Sequence, residues 1–481
     1  MLANEYEITK PFAAVLAPVL YWSVQIFFKL AHYVYVLINF TKRKEVVPAI
    51  NKNDPLDQLL LLPAVELARK VWKKEVTSAQ VLEVYIRRAE LTNKQTNAIA
   101  QRNYEFARSR AKQIDEDIQR MDENSEEYKE LLNTKPFLGV PLSVKDHIGV
   151  KGVKLTIGLP CFANNPPMED DAELVKRLMN AGAIPFLYSN VPEGVMWMET
   201  ENTIYGRTYN AYDNRKGVGG SSGGEGALLG AGASVLGVGS DIGGSIRTPA
   251  MFNGISGLKP SPNIIPWTGC VPDQFHGYQK EMASLGPLTR FAKDLRPMLK
   301  TLVDPEHHER LRLDEPVDIN KLRVFYMEGS NSLFASSSFD FDVMEALHKA
   351  VSHFQDTHSK STIRIDLPLI HYALVSSSMP VPNFFTGFNP NEALDGWAEL
   401  PKYIKGKSEH VLPVITWCIA YDFFAKFNYD TKKMGLNSDG FPTAVQIVAT
   451  PGNERLIIKA AEELEEAFGG WQMPPGPEQV N

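Results

Sequence analysis

The sequence predicts an α/β fold built around a largely buried sheet. In the middle of the chain, short apolar runs alternate with helical patterns. GVPLSVKD (139–146) reads as a buried strand, residues 171–182 as a helix ending at Gly182, and AIPFLYSN (183–190) as the next strand. Strands separated by amphipathic helices are the signature of layered α/β architecture. Composition agrees: 481 residues with 44% hydrophobic and 22% charged side chains suit a globular enzyme.

From the N-terminus, residues 12–28 contain no charge, and after Lys29 a second apolar run continues to Phe40. A spanning helix needs about 20 mostly apolar residues, so either 12–28 with its flanks or 20–40 with a snorkelling lysine suffices. A cleaved signal peptide would carry basic residues in front, whereas Glu5 and Glu7 precede the run and Lys42, Arg43 and Lys44 follow it. Residues 1–44 are therefore expected to be a retained membrane anchor with a basic flank. The positive-inside rule then places the rest of the chain in the cytosol. An amphipathic helix lying on the membrane is the alternative.

Residues 45–57, polar and proline-containing, read as a linker to a catalytic domain at 58–481. Thr77 is the expected N-cap of a helix over 78–92, with Val81, Val84, Tyr85 and Ala89 on one face. The charged stretch 103–132 reads as one long surface helix. Farther on, 321–326, 361–367 and 442–449 read as strands, covered by helices at 340–355 and 454–468. No long basic stripe accompanies the net charge of −7, which argues against nucleic acid as a partner. Cys161, Cys270 and Cys418 form no CxxC pair, so neither a structural zinc site nor a disulfide framework is expected.

Residues 217–247 are too rich in glycine for ordinary elements. A phosphate loop would need GxxxxGK[ST], which is missing, and no GxGxxG dinucleotide fingerprint occurs either. Gly219–Gly223 matches GxSxG, but the polar residues 210–216 supply no strand to deliver Ser221 as a nucleophile elbow. The block GGSSGGE (219–225), the block DIGGSIR (241–247), PLSVKD around Lys145 and NGISGLKPS (253–261) together resemble the amidase-signature family. The anchor, YGRTYNAYD and LGPLTRFAKDL are most similar to its membrane-bound fatty acid amide hydrolases, the second vertebrate type above all.

The resemblance implies a large twisted mixed β-sheet covered by helices on both faces. It implies a serine hydrolase that cuts carboxylic amides, fatty acid amides in particular, through an acyl-enzyme. Ser245 would be the nucleophile, Ser221 a proton relay after a non-proline cis peptide, and Lys145 the base. The N–H groups of Ile242, Gly243, Gly244 and Ser245, at the opening of a helix, would hold the oxyanion. Burial would depress the Lys145 pKa, and Asp146 would oppose that if close. Ser222 is expected to cap a helix and Arg247 to pair with a carboxylate. Met196, Trp197 and Met198 are candidates for an acyl channel or for plain core. Neither cofactor nor metal is implied; the partners would be a lipid amide, a membrane and, by analogy, a second copy of the chain.

One departure matters. Family members carry several tens of residues between the equivalents of Trp417-Cys418 and Gly435-Leu436-Asn437, where this chain has CIAYDFFAKFNYDTKKM. A segment near 419–434 is thus missing, and the loss of an internal strand exposes its neighbours. Two rivals to the amidase stay open: a non-catalytic membrane protein disabled by that gap, and an amidase subunit releasing ammonia from glutamine for charged tRNA.

Overall fold

A computed structural model describes residues 44–275, 278–329, 341–358, 362–366, 444–474 and 476. The anchor expected within 1–44 and the gap near 419–434 lie outside these residues, Lys44 excepted. Among the described residues no helix is long and apolar enough to cross a membrane.

Among the described residues the core is a six-stranded mixed sheet. Its strands are β1 (Ile99–Arg102), β2 (Pro141–Lys145), β3 (Ile184–Ser189), β4 (Leu236–Asp241), β5 (Ser256–Gly257) and β6 (Ser284–Thr289), in the spatial order β1-β3-β2-β4-β6-β5. β2 runs parallel to both β3 and β4; β1–β3, β4–β6 and β6–β5 are antiparallel. Every residue of β2, β3, β4 and β6 is buried. Successive side chains of a strand point to opposite faces, so both faces of the sheet are covered.

The covering helices follow their sequence signals. α1 (Ala64–Trp72) begins where Asp294 accepts hydrogen bonds from the Ala64 and Val65 N–H groups. α2 (Ser78–Thr96) carries the full capping box between Thr77 and Gln80, and it buries Val81, Val84, Tyr85 and Ala89 as expected. α4 (Glu173–Asn180) buries Leu174, Val175 and Leu178, and Gly182 follows at φ +94°. α5 (Gly223–Gly230) is buried along its whole length. α6 (Arg247–Phe252), α7 (Leu295–Leu302), α8 (Phe341–His358) and α9 (Glu454–Phe468) complete the set used below. α8 and α9 match the helices expected at 340–355 and 454–468.

Four expectations are corrected. Residues 45–50 are no free tether: Val46, Val47 and Ile50 are buried, the Val47 N–H donates to Ala211, and Arg88 donates to Pro48 O. The charged stretch 103–132 is broken. α3 (Tyr104–Arg120) stops where Met121 turns extended, and two single-turn helices follow at Glu126–Lys129 and Leu131–Thr134. Asp122, Asn124 and Ser125 hydrogen-bond locally there, in competition with the helix ladder. Of the strands expected at 321–326 and 361–367, the described residues show β7 (Phe325–Tyr326) and β8 (Ile363–Arg364), which among those residues pair only with each other. Residues 444–449 have no strand partner among the described residues.

Candidate active site

β2 delivers Lys145 as its last residue, with no exposed surface. The apolar residues Leu142 and Val144 explain the strand, and its parallel pairing with β3 and β4 sinks its C-terminal end into the core. The Lys145 Nζ donates to Ser221 Oγ at 2.8 Å and to Ser240 Oγ at 3.1 Å. Burial pulls this ammonium from the ordinary value of 10.5 down to about 7, against the opposing fields of Asp241 and Glu225. About half of such lysines are neutral at pH 7.

Ser221 follows a cis Gly220–Ser221 peptide, the non-proline cis bond expected there. The chain passes so close to its neighbours at this point that a side chain does not fit. A Cβ on Gly220 would lie 2.5 Å from the Trp197 carbonyl and 2.8 Å from that of Glu199. Gly219 takes φ +82°, which an L side chain rarely adopts. Residues 208–220 form no strand leading into Ser221, so the GxSxG match is not an elbow.

Ser245 arrives from the other side, on the bend after β4. The Ser222 N–H donates to the Ser245 carbonyl at 3.1 Å, which joins the two serine segments by backbone. Among the described residues no hydrogen bond joins the Ser245 hydroxyl to Ser221. Asp241 organises this bend. Its buried carboxylate accepts from the N–H groups of Gly244 (2.8 Å), Ile246 (3.0 Å) and Arg247 (3.2 Å), and from the Arg247 guanidinium at 3.0 Å. Burial works against this charge, but Arg247 and the N–H donors win and hold the carboxyl below its ordinary range. Arg247 thus has the carboxylate partner expected of it.

The geometry revises four site expectations. Ser245 does not open the helix: α6 starts at Arg247, with Ile246 at its N-cap. The N–H of Gly244 is taken by Asp241, whereas those of Ile242, Gly243 and Ser245 make no hydrogen bond among the described residues. Gly243 faces open space, for a Cβ there would meet nothing within 4 Å. Ser222 stands at the N-cap of α5, yet its hydroxyl makes no cap hydrogen bond and has no partner among the described residues. Asp146 does not set the charge of Lys145; its carboxylate is engaged by the Thr156 hydroxyl and N–H.

Sequence reading missed Ser240 and Glu225. Glu225 is fully buried on α5 and accepts from Ser143 Oγ at 2.5 Å. Burial raises its carboxyl to about 7, with Ser143 and Lys145 pulling the other way. Gly237 of β4 makes room for it: a Cβ there would fall 2.1 Å from Glu225 Oε2. A visible signal existed, since a glutamate inside a Gly/Ser helix has no solvated face to occupy. Met196, Trp197 and Met198 are half-buried, on the segment whose backbone runs against Gly220.

The amidase family model matches residues 80–377, and the chain belongs to the amidase-signature family, an amide-hydrolysing enzyme. Human fatty-acid amide hydrolase 2 is 32% identical, over 87% of this chain and 91% of the relative. Fatty-acid amide hydrolase 2-A of Danio rerio is also 32% identical, over 86% and 90% of the two chains. In structure the chain resembles a fatty acid amide hydrolase with a TM-score of 0.58 at 22% identity, covering 88% of this chain and 72% of that one. It also resembles 6-aminohexanoate cyclic dimer hydrolase with a TM-score of 0.64 at 20% identity, over 88% and 99%. These structural likenesses bear on the fold, whose mixed sheet and covering helices are those of the family.

Proposed function

We propose that this chain is a membrane-anchored serine amidase acting on fatty acid amides through Ser245, Ser221 and Lys145. The observation that carries the reading is the buried Lys145 Nζ on Ser221 Oγ at 2.8 Å, with the amine near neutrality. In the proposed reaction Ser245 Oγ attacks the amide carbonyl. Its proton passes to Ser221, whose own proton passes to neutral Lys145. The N–H groups of Ile242, Gly243 and Ser245 receive the oxyanion, while Gly244 serves by tying the bend to Asp241. As the tetrahedral adduct collapses, the proton returns from Lys145 through Ser221 to the departing amine. Water then attacks the acyl-enzyme with the same groups in reverse.

The lipid part of the reading rests on the relatives and on the apolar run at 12–40. An anchored hydrolase takes its substrate from the bilayer, and half-buried Met196, Trp197 and Met198 beside Gly220 suit an acyl chain. The basic flank at 42–44 puts the catalytic part on the cytosolic side. A homodimer is proposed by family analogy alone. The test compares the full chain with Ser245→Ala after treatment with a fluorophosphonate, read by intact mass. A single adduct on the parent and none on the variant is the expected result. No adduct on a compact parent favours the non-catalytic reading.

A further inference from the structure

Far along the chain from the serine motifs, α8 and α9 pack against each other over Phe354 and Ala460, with Leu464 at the edge. Beside this contact three potential ligands converge. His353 and His358 of α8 point their Nε2 atoms at one oxygen of Glu463 on α9, at 3.3 and 3.0 Å from Oε1. Their ligating atoms all lie within 4.8 Å of one another. The three side chains keep 13–18% of their surface, so they are sheltered yet reachable.

The other faces of these groups are occupied. His358 Nδ1 faces Asn320 Oδ1 at 3.1 Å, and His353 Nδ1 faces Thr357 Oγ1 at 3.4 Å. Lys459 lies 3.8 Å from the second oxygen of Glu463, Oε2. His358 Nδ1 thus has an outer partner in Asn320, while its Nε2 faces the carboxylate of Glu463. A ring nitrogen 3.0 Å from a carboxylate oxygen marks a position that a proton or a metal ion can bridge. Ring nitrogens fixed by an outer partner on Nδ1 are the usual arrangement of metal-binding histidines.

We propose that His353, His358 and Glu463 form a divalent-metal site of the zinc type, which staples α8 to α9. Two imidazoles and a carboxylate are a familiar three-ligand zinc set, with the fourth position left to water. Bonds of about 2.0–2.1 Å in tetrahedral array place ligand atoms about 3.3 Å apart, so the observed spacing needs only small side-chain rotations. His353 also lines an open groove of about 720 Å³ with Met344, His348, Ser352 and Phe468, which gives a hydrated ion its way in. The site is invisible as a sequence motif because its ligands come from two helices more than a hundred residues apart. It is independent of the hydrolytic reading above.

The test strips the full chain with a chelator and titrates it with Zn²⁺ by calorimetry and with Co²⁺ by visible absorption. One saturable equivalent, tetrahedral-type Co²⁺ bands and a higher unfolding temperature with Zn²⁺ are expected. The double variant His353→Ala/His358→Ala should lose that equivalent. Asn320→Ala, an exposed change that leaves the ligands in place, should weaken binding about 10–100-fold. No saturable equivalent in the parent, or equal affinity in Asn320→Ala and in the double variant, would overturn the proposal. So would a parent that is stabilised by acidification alone, which would identify the cation as a proton.

Discussion

If neutral Lys145 accepts the proton relayed through Ser221, the pH at which the enzyme switches on is set by burial. The fall from 10.5 to about 7 corresponds to about 5 kcal/mol of preference for the neutral amine. At pH 7.5 an ordinary lysine is neutral in about one molecule in a thousand, whereas this one is mostly neutral. The second-order rate of fluorophosphonate labelling, followed from pH 5.5 to 10, should therefore climb and level off with a midpoint near 7. Glu225 also titrates near 7 within reach of Lys145, so the parent's midpoint belongs to the pair. Two variants separate them. Glu225→Gln removes a charge that favours the ammonium, and its midpoint should move to lower pH. Lys145→Ala should lose the limb altogether, together with about 10²–10⁴ in rate. The sign for stability follows from proton counting. Between about pH 7 and 10.5 the unfolded chain binds the proton that folded Lys145 has released, so stability rises across that window. In Lys145→Met this rise should disappear. A labelling midpoint above 9, or a Lys145→Ala rate within threefold of the parent, would refute the assignment.

Asp241→Ala leaves the Arg247 guanidinium without its carboxylate and frees three N–H groups of the bend. A loss of about 3–5 kcal/mol in urea unfolding is expected, with labelling of Ser245 lost alongside. Gly237→Ala drives a methyl group into the space of Glu225 Oε2, 2.1 Å away, in a fully packed strand pair. It should cost about 1–3 kcal/mol by the same measurement. Because it displaces the carboxylate beside Lys145, it should also move the labelling midpoint.

Much of this protein can be read from its residues in order. β2, α4 and β3 follow from short apolar runs and one terminal glycine, and α2 from Thr77 and Gln80. α9 covers Glu454–Phe468, the span read from periodicity. Lys145, Ser221 and Ser245 stand out only together, through the resemblance of PLSVKD, GGSSGGE and DIGGSIR to the amidase-signature family; each alone reads as an ordinary surface charge, turn or cap. Charge runs were less informative: 103–132 looks uniform, yet local hydrogen bonds at Asp122 and Ser125 end α3. Tertiary structure alone decided how the charges are arranged. Neighbours in sequence suggested Asp146 as the group acting on Lys145, but Thr156 claims that carboxylate, and Asp241 and Glu225 act on the lysine instead. Ser240 reaches Lys145 only because β2 and β4 lie side by side. Gly244 turns its N–H to Asp241 through a fold of the bend that no spacing rule encodes. The physical reason is common to all of these. Local pattern fixes which face of an element is buried, whereas the potential at a buried amine depends on which distant groups the fold brings within a few ångströms.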